Sequence, residues 1–176
     1  LPADTAWNRT EAQADPLPKI AAQPVDTAGV ESVAKALHSG KPAAILMNGV
    51  LTEERLVLAN KIAQKTGARI ISDTFISRMR RGAGIPEILR LPYFGEQAAE
   101  VLEGVEHLIL VSSQPPITFF AYPDKPNWLT PENCQIHRLV ERDGDVDGAL
   151  EALCEAVGAS ALTPLLVQPA RPDAPK

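Results

Sequence analysis

The sequence is poor in aromatic residues. Phe, Trp and Tyr together make up 5% of 176 residues, although 45% is hydrophobic. A core built from such a chain is aliphatic and alanine-rich, which suits helices packed on a parallel sheet. Cysteine is scarcer still, with Cys134 and Cys154 alone. Two are too few for a disulfide scaffold, and they fall before a predicted strand and inside a predicted helix. No bridge is expected, and the chain reads as a reduced, cytoplasmic protein. No apolar run approaches the roughly 18–20 residues that span a bilayer. Positive charge is not in excess: the formal net charge is −5 and the pI about 5.2. That removes the reason to expect nucleic acid or an anionic membrane as a partner. The start, Leu1-Pro2-Ala3-Asp4, has neither a basic n-region nor an apolar h-region, so a signal peptide is not expected. The missing initial Met reads as processing, or as a piece of a longer protein.

Catalytic sets are also missing. The sequence holds no G-x-S-x-G, no Walker lysine, no Ser-His-Asp context and no zinc cluster. His38, His107 and His137 are scattered, none with a second ligand at metal spacing, and read as surface or sheet-edge residues. No metal ligands are expected.

Proline is plentiful and uneven. Pro2, Pro16, Pro18 and Pro24 mark residues 1–25 as an extended arm, and "PLLVQPARPDAPK" marks 161–176 as a second. Between them, 26–160 reads as one compact domain. Asp26 or Thr27 can cap a helix with Val30, Val33, Ala34 and Leu37 on one face, ended by Gly40. "AAILMN" (43–48) reads as a buried strand. Residues 52–66 read as a helix with Leu56, Ala59, Ile62 and Ala63 inward, stopped at Gly67. "ARIIS" (68–72), "HLILVSS" (107–113) and "QIHRLV" (135–140) read as strands, and 117–122 as a further short one. Helices are predicted at 95–105 and 145–159. Residues 73–92 are irregular, with room for a short strand or turn. Alternating strands and helices predict a doubly wound, mostly parallel α/β sheet of Rossmann type, with helices on both faces.

Four segments invite a functional reading. The turn Asn48-Gly49 sits where a Rossmann pyrophosphate loop would, but it has one Gly where G-x-G-x-x-G has three. Thr52 caps the helix that follows, and Glu53 and Glu54 fill its first turn, where they oppose a phosphate. The run "RDGDVDGALEAL" matches the start of an EF-hand loop, but its twelfth place is Cys154 instead of Glu. Its aspartates read instead as caps of the last helix. "RMRRGAG" collects Arg78, Arg80 and Arg81, with Arg90 nearby. It is read as an anion contact or, more plainly, as a solvated or inter-subunit face. Residues 112–128 concentrate Phe119, Phe120, Tyr122 and Trp128 among prolines. That clustering reads as a rigid sheet-edge segment or as a surface that docks another domain, partly exposed in the isolated chain.

The order of "AAILMNG", "GARIISDTF", "GIPEILRLPYF", "LEGVEHLILVSSQPPITFFAY" and "ALEALCEAV" resembles the central domain of thiamine diphosphate-dependent enzymes. The flavour is that of acetolactate synthase large subunit-like proteins, with benzoylformate decarboxylase as a relative. The resemblance covers about 26–158. It implies a six-stranded Rossmann-like unit between two further domains of the same enzyme. Those domains would hold thiamine diphosphate and Mg²⁺ and act on 2-oxo acids, in a homodimer or homotetramer. It implies a structural and oligomerising role for this chain, which would catalyse nothing alone. Central domains of the family bind FAD, ADP or nothing. This sequence lacks the Arg-Phe-Asp-Asp run of the FAD binders, with Thr118-Phe119-Phe120-Ala121 near its place, which speaks against FAD. If a nucleotide binds, ADP is expected at the carboxyl ends of the strands, touching Asn48, Gly49, Ser72, Asp73, Arg78, Ser112 and Ser113. The alternative is a stand-alone Rossmann-type nucleotide-binding module.

Overall fold

The structure is a computed structural model, described for residues 2–10, 12, 14–18, 20–120 and 123–169. A short helix, α1 (Ala3–Trp7), opens the chain and buries nothing. The proline arm is therefore not extended throughout. The domain proper starts with α2 (Thr27–Leu37), which buries Val30, Val33, Ala34 and Leu37 as its spacing predicts. Strand β1 (Ala43–Met47) follows, buried at every position. A two-residue strand β2 (Val50–Leu51) leads into α3 (Glu53–Thr66). Thr52 caps α3 by accepting from the Arg55 amide at 3.3 Å, and Gly67 ends it at φ +76°.

The next strand is β3 (Arg69–Ser72). The irregular stretch 73–92 holds two more two-residue strands, β4 (Arg78–Met79) and β5 (Leu89–Arg90). Helix α4 (Gly95–Leu102) precedes β6 (His107–Val111), which is buried throughout. Strand β7 (Gln135–Val140) and helix α5 (Val146–Ala156) complete the elements. The expected strand at 117–122 is reduced to one antiparallel bridge, Ile117 to Trp128. Ala121 and Tyr122 lie outside the described residues.

The principal sheet has the order β5-β3-β1-β6-β7, and every pairing in it is parallel. Counting its strands along the chain, the order is 3-2-1-4-5, which is that of a Rossmann sheet without its sixth strand. Six strands were expected, and five form this sheet among the described residues. Among the described residues after α5 the chain does not return to β7. Residues 160–165 run along α3 instead: Lys61 Nζ donates to the Ser160 carbonyl, Gln64 Nε2 to that of Thr163, and the Leu165 amide to Asn60 Oδ1. Val167 then exchanges backbone hydrogen bonds with Gly84 and Ile85. Strands β2 and β4 pair separately as a small parallel ribbon.

Two apolar layers hold the sheet. Helices α2, α3 and α5 cover one face, where Leu56, Ile62, Leu150 and Leu153 meet Ile45, Met47, Ile109 and Val111. Helix α4 and the 129–134 segment cover the other, over Ala44, Leu46, Ile71, Leu108 and Leu110. The alternation along β1 and β6 sends successive side chains to opposite layers. Each fully buried Leu or Ile contributes about 1.5–3 kcal/mol.

Candidate functional site

The strand order reverses between β1 and β6. Their carboxyl ends carry Asn48-Gly49 and Ser112-Ser113, and β3 beside them ends in Ser72-Asp73. In open sheets of this kind a crevice forms at that point, and ligands bind there. Asp73 is its centre. Its Oδ2 accepts from Asn48 Nδ2 at 2.9 Å and from Ser113 Oγ at 3.1 Å. Asn48 Oδ1 in turn accepts from the Gly49 amide at 2.6 Å. Backbone bonds fix the frame: Asn48 N–H donates to Val111 O, Asp73 N–H to Met47 O, and Ser112 N–H to Val140 O. Gly49 and Ser112 both adopt positive φ, +85° and +54°. For Ser112 that conformation is unfavourable, and strain of this sort gathers at sites.

Asn48, Gly49, Asp73, Ser112 and Ser113 therefore come together. The side chains of Ser72 and Arg78 do not join them, although the Arg78 amide donates to the Gly49 carbonyl at 3.4 Å. Ser72 is buried, and its hydroxyl has no partner. Arg78 lies on the β2–β4 ribbon and shares a separate hollow of about 200 Å³ with Val50–Glu54 and Arg80.

Beside the polar cluster lies an aromatic face. A cleft of about 250 Å³ runs from Asp73, Thr74 and Phe75 to Tyr93, Gln114 and Phe119. A second, of about 340 Å³, lies among Tyr93, Phe94, Phe119, Phe120 and Lys125. Phe75 to Phe119 is 5.2 Å between ring centres, Tyr93 to Phe119 is 5.8 Å, and Phe119 to Phe120 is 4.7 Å, the last edge to face. All four phenylalanines of the chain take part. They remain in water: Phe75 is 56% exposed, Phe94 61%, Phe119 60% and Phe120 47%, and Trp128, in the loop of Phe119 and Phe120, is 52% exposed. The sequence pointed to Phe119, Phe120 and Trp128 but missed Phe75, Tyr93 and Phe94. These come from two earlier loops, and nothing local links them. Gly95 allows α4 to approach this loop, because a Cβ there would lie 2.6 Å from Thr118 Cγ2. At the rim Lys125 pairs with Glu96 at 2.8 Å, and with the Glu96 amide it holds that carboxyl below the usual range.

The donors a phosphate would need at the first turn are taken. The Gly49 amide is held by Asn48, and Thr52 caps the Arg55 amide. Glu54 lies at the α3 N-terminus, held below the usual carboxylate range by its own amide, then by the Thr52 hydroxyl and Arg80. The residues fit a metal-held diphosphate no better. Among the described residues no three His, Cys, Asp or Glu converge. Asp145, which the sequence read as a helix cap, accepts from the Gly148 amide at 2.9 Å. Asp147 instead bridges to Arg55, with contacts of 2.6 and 2.8 Å. Arg55 thereby ties α3 to α5 and, through the Val50 carbonyl, to β2.

His107 corrects the reading of the histidines. It is 6% exposed and lies inside the sheet, 3.0 Å from His137 on β7. Both cysteines are free thiols, raised above the ordinary value by burial. Among the described residues no helix is long and apolar enough to cross a membrane.

A Rossmann-order domain with a polar knot at its switch point and an aromatic face beside it defines the class. Comparison narrows it. No family model matches the chain. A protein of Mycobacterium tuberculosis named "Putative acetolactate synthase large subunit IlvX" is 44% identical over 167 residues, 94% of this chain and 32% of that protein. The X-ray structure of "a putative thiamin diphosphate-dependent enzyme" from Mycobacterium smegmatis superposes with a TM-score of 0.55 at 18% identity, over 89% of this chain and 33% of that one. The second likeness is one of fold. The chain is thus a relative of an acetolactate synthase large subunit-like protein, and it spans about a third of that protein's length.

Proposed function

We propose that this chain is the central, non-catalytic domain of a thiamine diphosphate-dependent carboligase or decarboxylase acting on a 2-oxo acid. The domain runs over about 26–160 between linker segments. The observation that carries the reading is the match of nearly the whole chain to a third of its relative. The remaining two thirds have room for the domains that would hold thiamine diphosphate and Mg²⁺, a set the residues here do not fit. The role of this domain is placement. It holds its neighbours at fixed separation, and orientation of that kind acts on rate without chemistry of its own. The exposed aromatic face suits such a role, because a neighbouring domain of the same polypeptide would bury it. The whole enzyme is expected to be a homodimer or homotetramer in the cytoplasm.

The test compares this chain with the full-length protein. Each is titrated with thiamine diphosphate and Mg²⁺ by calorimetry, and each is assayed with pyruvate and benzoylformate. Binding and turnover are expected in the full-length protein alone. Micromolar binding by the chain, or turnover above buffer, would sink the reading.

A second reading rests on Asp73. Its carboxylate faces the crevice where a Rossmann acidic residue meets a ribose, with aromatic rings beside it. An adenine nucleotide such as ADP would use Asn48, Gly49, Asp73, Ser112 and Ser113, and not Ser72, which is buried, or the Arg78 side chain, which lines a separate hollow. Calorimetry with ADP and FAD decides it. Tight FAD binding without ADP binding counts against it.

A further inference from the structure

His107 and His137 are the least expected pair in the molecule. They lie on neighbouring strands, on the face that α2 and α5 cover, in line with Ile109 and Leu139. His107 Nδ1 and His137 Nε2 are 3.0 Å apart. His107 Nε2 is buried and has no partner. These facts select the tautomers. In a neutral pair one nitrogen donates and the other accepts. If His137 donated, His107 would carry its hydrogen on the buried Nε2, with no acceptor. If His107 donates from Nδ1, its Nε2 is a bare lone pair, and an under-satisfied acceptor is tolerated better than an orphaned N–H. Both rings then carry their hydrogen on Nδ1.

No place is left for a further proton. On His107 Nε2 it would create a buried cation with an unmet N–H. On His137 Nε2 it would set two N–H groups against each other. No carboxylate relieves this from the elements packed around the pair. Glu31, Lys35 and His38 of α2 and its C-cap, and Asp147, Glu151 and Glu155 of α5, are all solvent-exposed. Strand β1 has no charged residue. Glu106, next to His107, pairs with Lys41 at 3.0 Å. Arg138, on the other face of β7, holds Glu141 and Gln114. Burial first, and His107 second, lower the pKa of His137.

We propose that the His107–His137 pair is a proton-sensitive clasp that holds the edge strand β7 on β6, closed when both rings are neutral and released in mild acid. β7 ends the sheet and, among the described residues, pairs with β6 alone, so no strand beyond it holds it when that pairing weakens. The sign follows from linkage. A histidine with a lowered folded pKa contributes stability that is complete above its unfolded value, near 6.5. That stability is lost as the pH falls toward and through the folded value.

The test uses the chain itself, with long-range ¹H–¹⁵N spectra of its three imidazoles across about pH 5 to about pH 8. The variant His38→Gln identifies the exposed ring. His107 and His137 are expected with hydrogen on Nδ1, with His137 titrating below the ordinary histidine value. Amide exchange in β7, corrected for its intrinsic pH dependence, should quicken about tenfold or more between about pH 7.5 and about pH 5. His137→Phe should abolish that change. Nε2–H tautomers, with His137 titrating at the ordinary histidine value, would overturn the clasp on the unaltered chain. So would β7 exchange with the same pH dependence in His137→Phe.

Discussion

Gly49 shows how one residue fixes the crevice. Its φ of +85° is needed for the chain to turn from β1 toward α3. Space is not the constraint, because an added Cβ would sit 3.7 Å from Ser112 Oγ, an ordinary contact. Gly49→Ala should therefore cost the backbone term alone, about 1–2 kcal/mol, read as a lower urea midpoint with an unchanged slope. Arg55 acts over a longer reach. Its side chain is 19% exposed, while that of Asp147 is 58% exposed, so the pair is half in water. Arg55→Ala should cost no more than about 1 kcal/mol. Its pH dependence has a definite sign. The hydrogen bond from Arg55 lowers the pKa of Asp147. The contribution is thus complete above the unfolded carboxylate value of about 3.9 and fades as the pH falls through the lower folded value. Urea melts of wild type and variant should differ near neutral pH and converge in acid.

At the scale of elements, what the sequence disclosed depended on the length of each pattern. The strands at 43–48 and 107–113 were legible from the apolar runs AAILM and LILV, and those at 68–72 and 135–140 from short segments rich in Ile, Leu and Val. The structure closes the first two at Met47 and Val111. Two-residue strands such as β4 and β5 have no period to read. Helix α1 has no buried face, so no apolar stripe announced it. The sixth strand came from family likeness and not from any run of residues, and the chain instead follows α3 after α5. The candidate site was legible where strand ends are fixed by β1, β3 and β6. The Arg78 side chain lies to one side of those strand ends because its loop forms a ribbon with β2, a register that sequence cannot supply. The His107–His137 contact needed the β6–β7 register in the same way. The value of an element can be measured. Ile109 has no exposed surface and sits mid-strand in β6, between β1 and β7. Ile109→Ala should cost about 2–5 kcal/mol, seen in the urea midpoint, with loss of amide protection across β1, β6 and β7 together. Thr52→Ala removes only the α3 cap and should cost about 1 kcal/mol.

Across the described residues the molecule keeps its aromatic side chains outside. Its core is aliphatic and needs no ring, while all four phenylalanines gather on one face in water. Folding of this chain does not account for that placement, since the exposed area adds little to its stability. Burial by a neighbour would: each ring, once fully covered, contributes about 1.5–3 kcal/mol. The two situations can be separated with one pair of substitutions, Phe94→Ser and Phe119→Ser. In the isolated chain the double variant should unfold within about 1 kcal/mol of wild type and should self-associate less. In the full-length protein, if a neighbouring domain covers the face, the same double variant should lose several kcal/mol. That loss would appear as earlier cleavage by protease between domains, and as weaker cofactor retention if the neighbours carry the cofactor. The comparison distinguishes the interface from the fold because the substitutions leave both apolar layers untouched. An equal effect in chain and full-length protein would mean that the rings serve this domain alone, and the docking role would have to be given up.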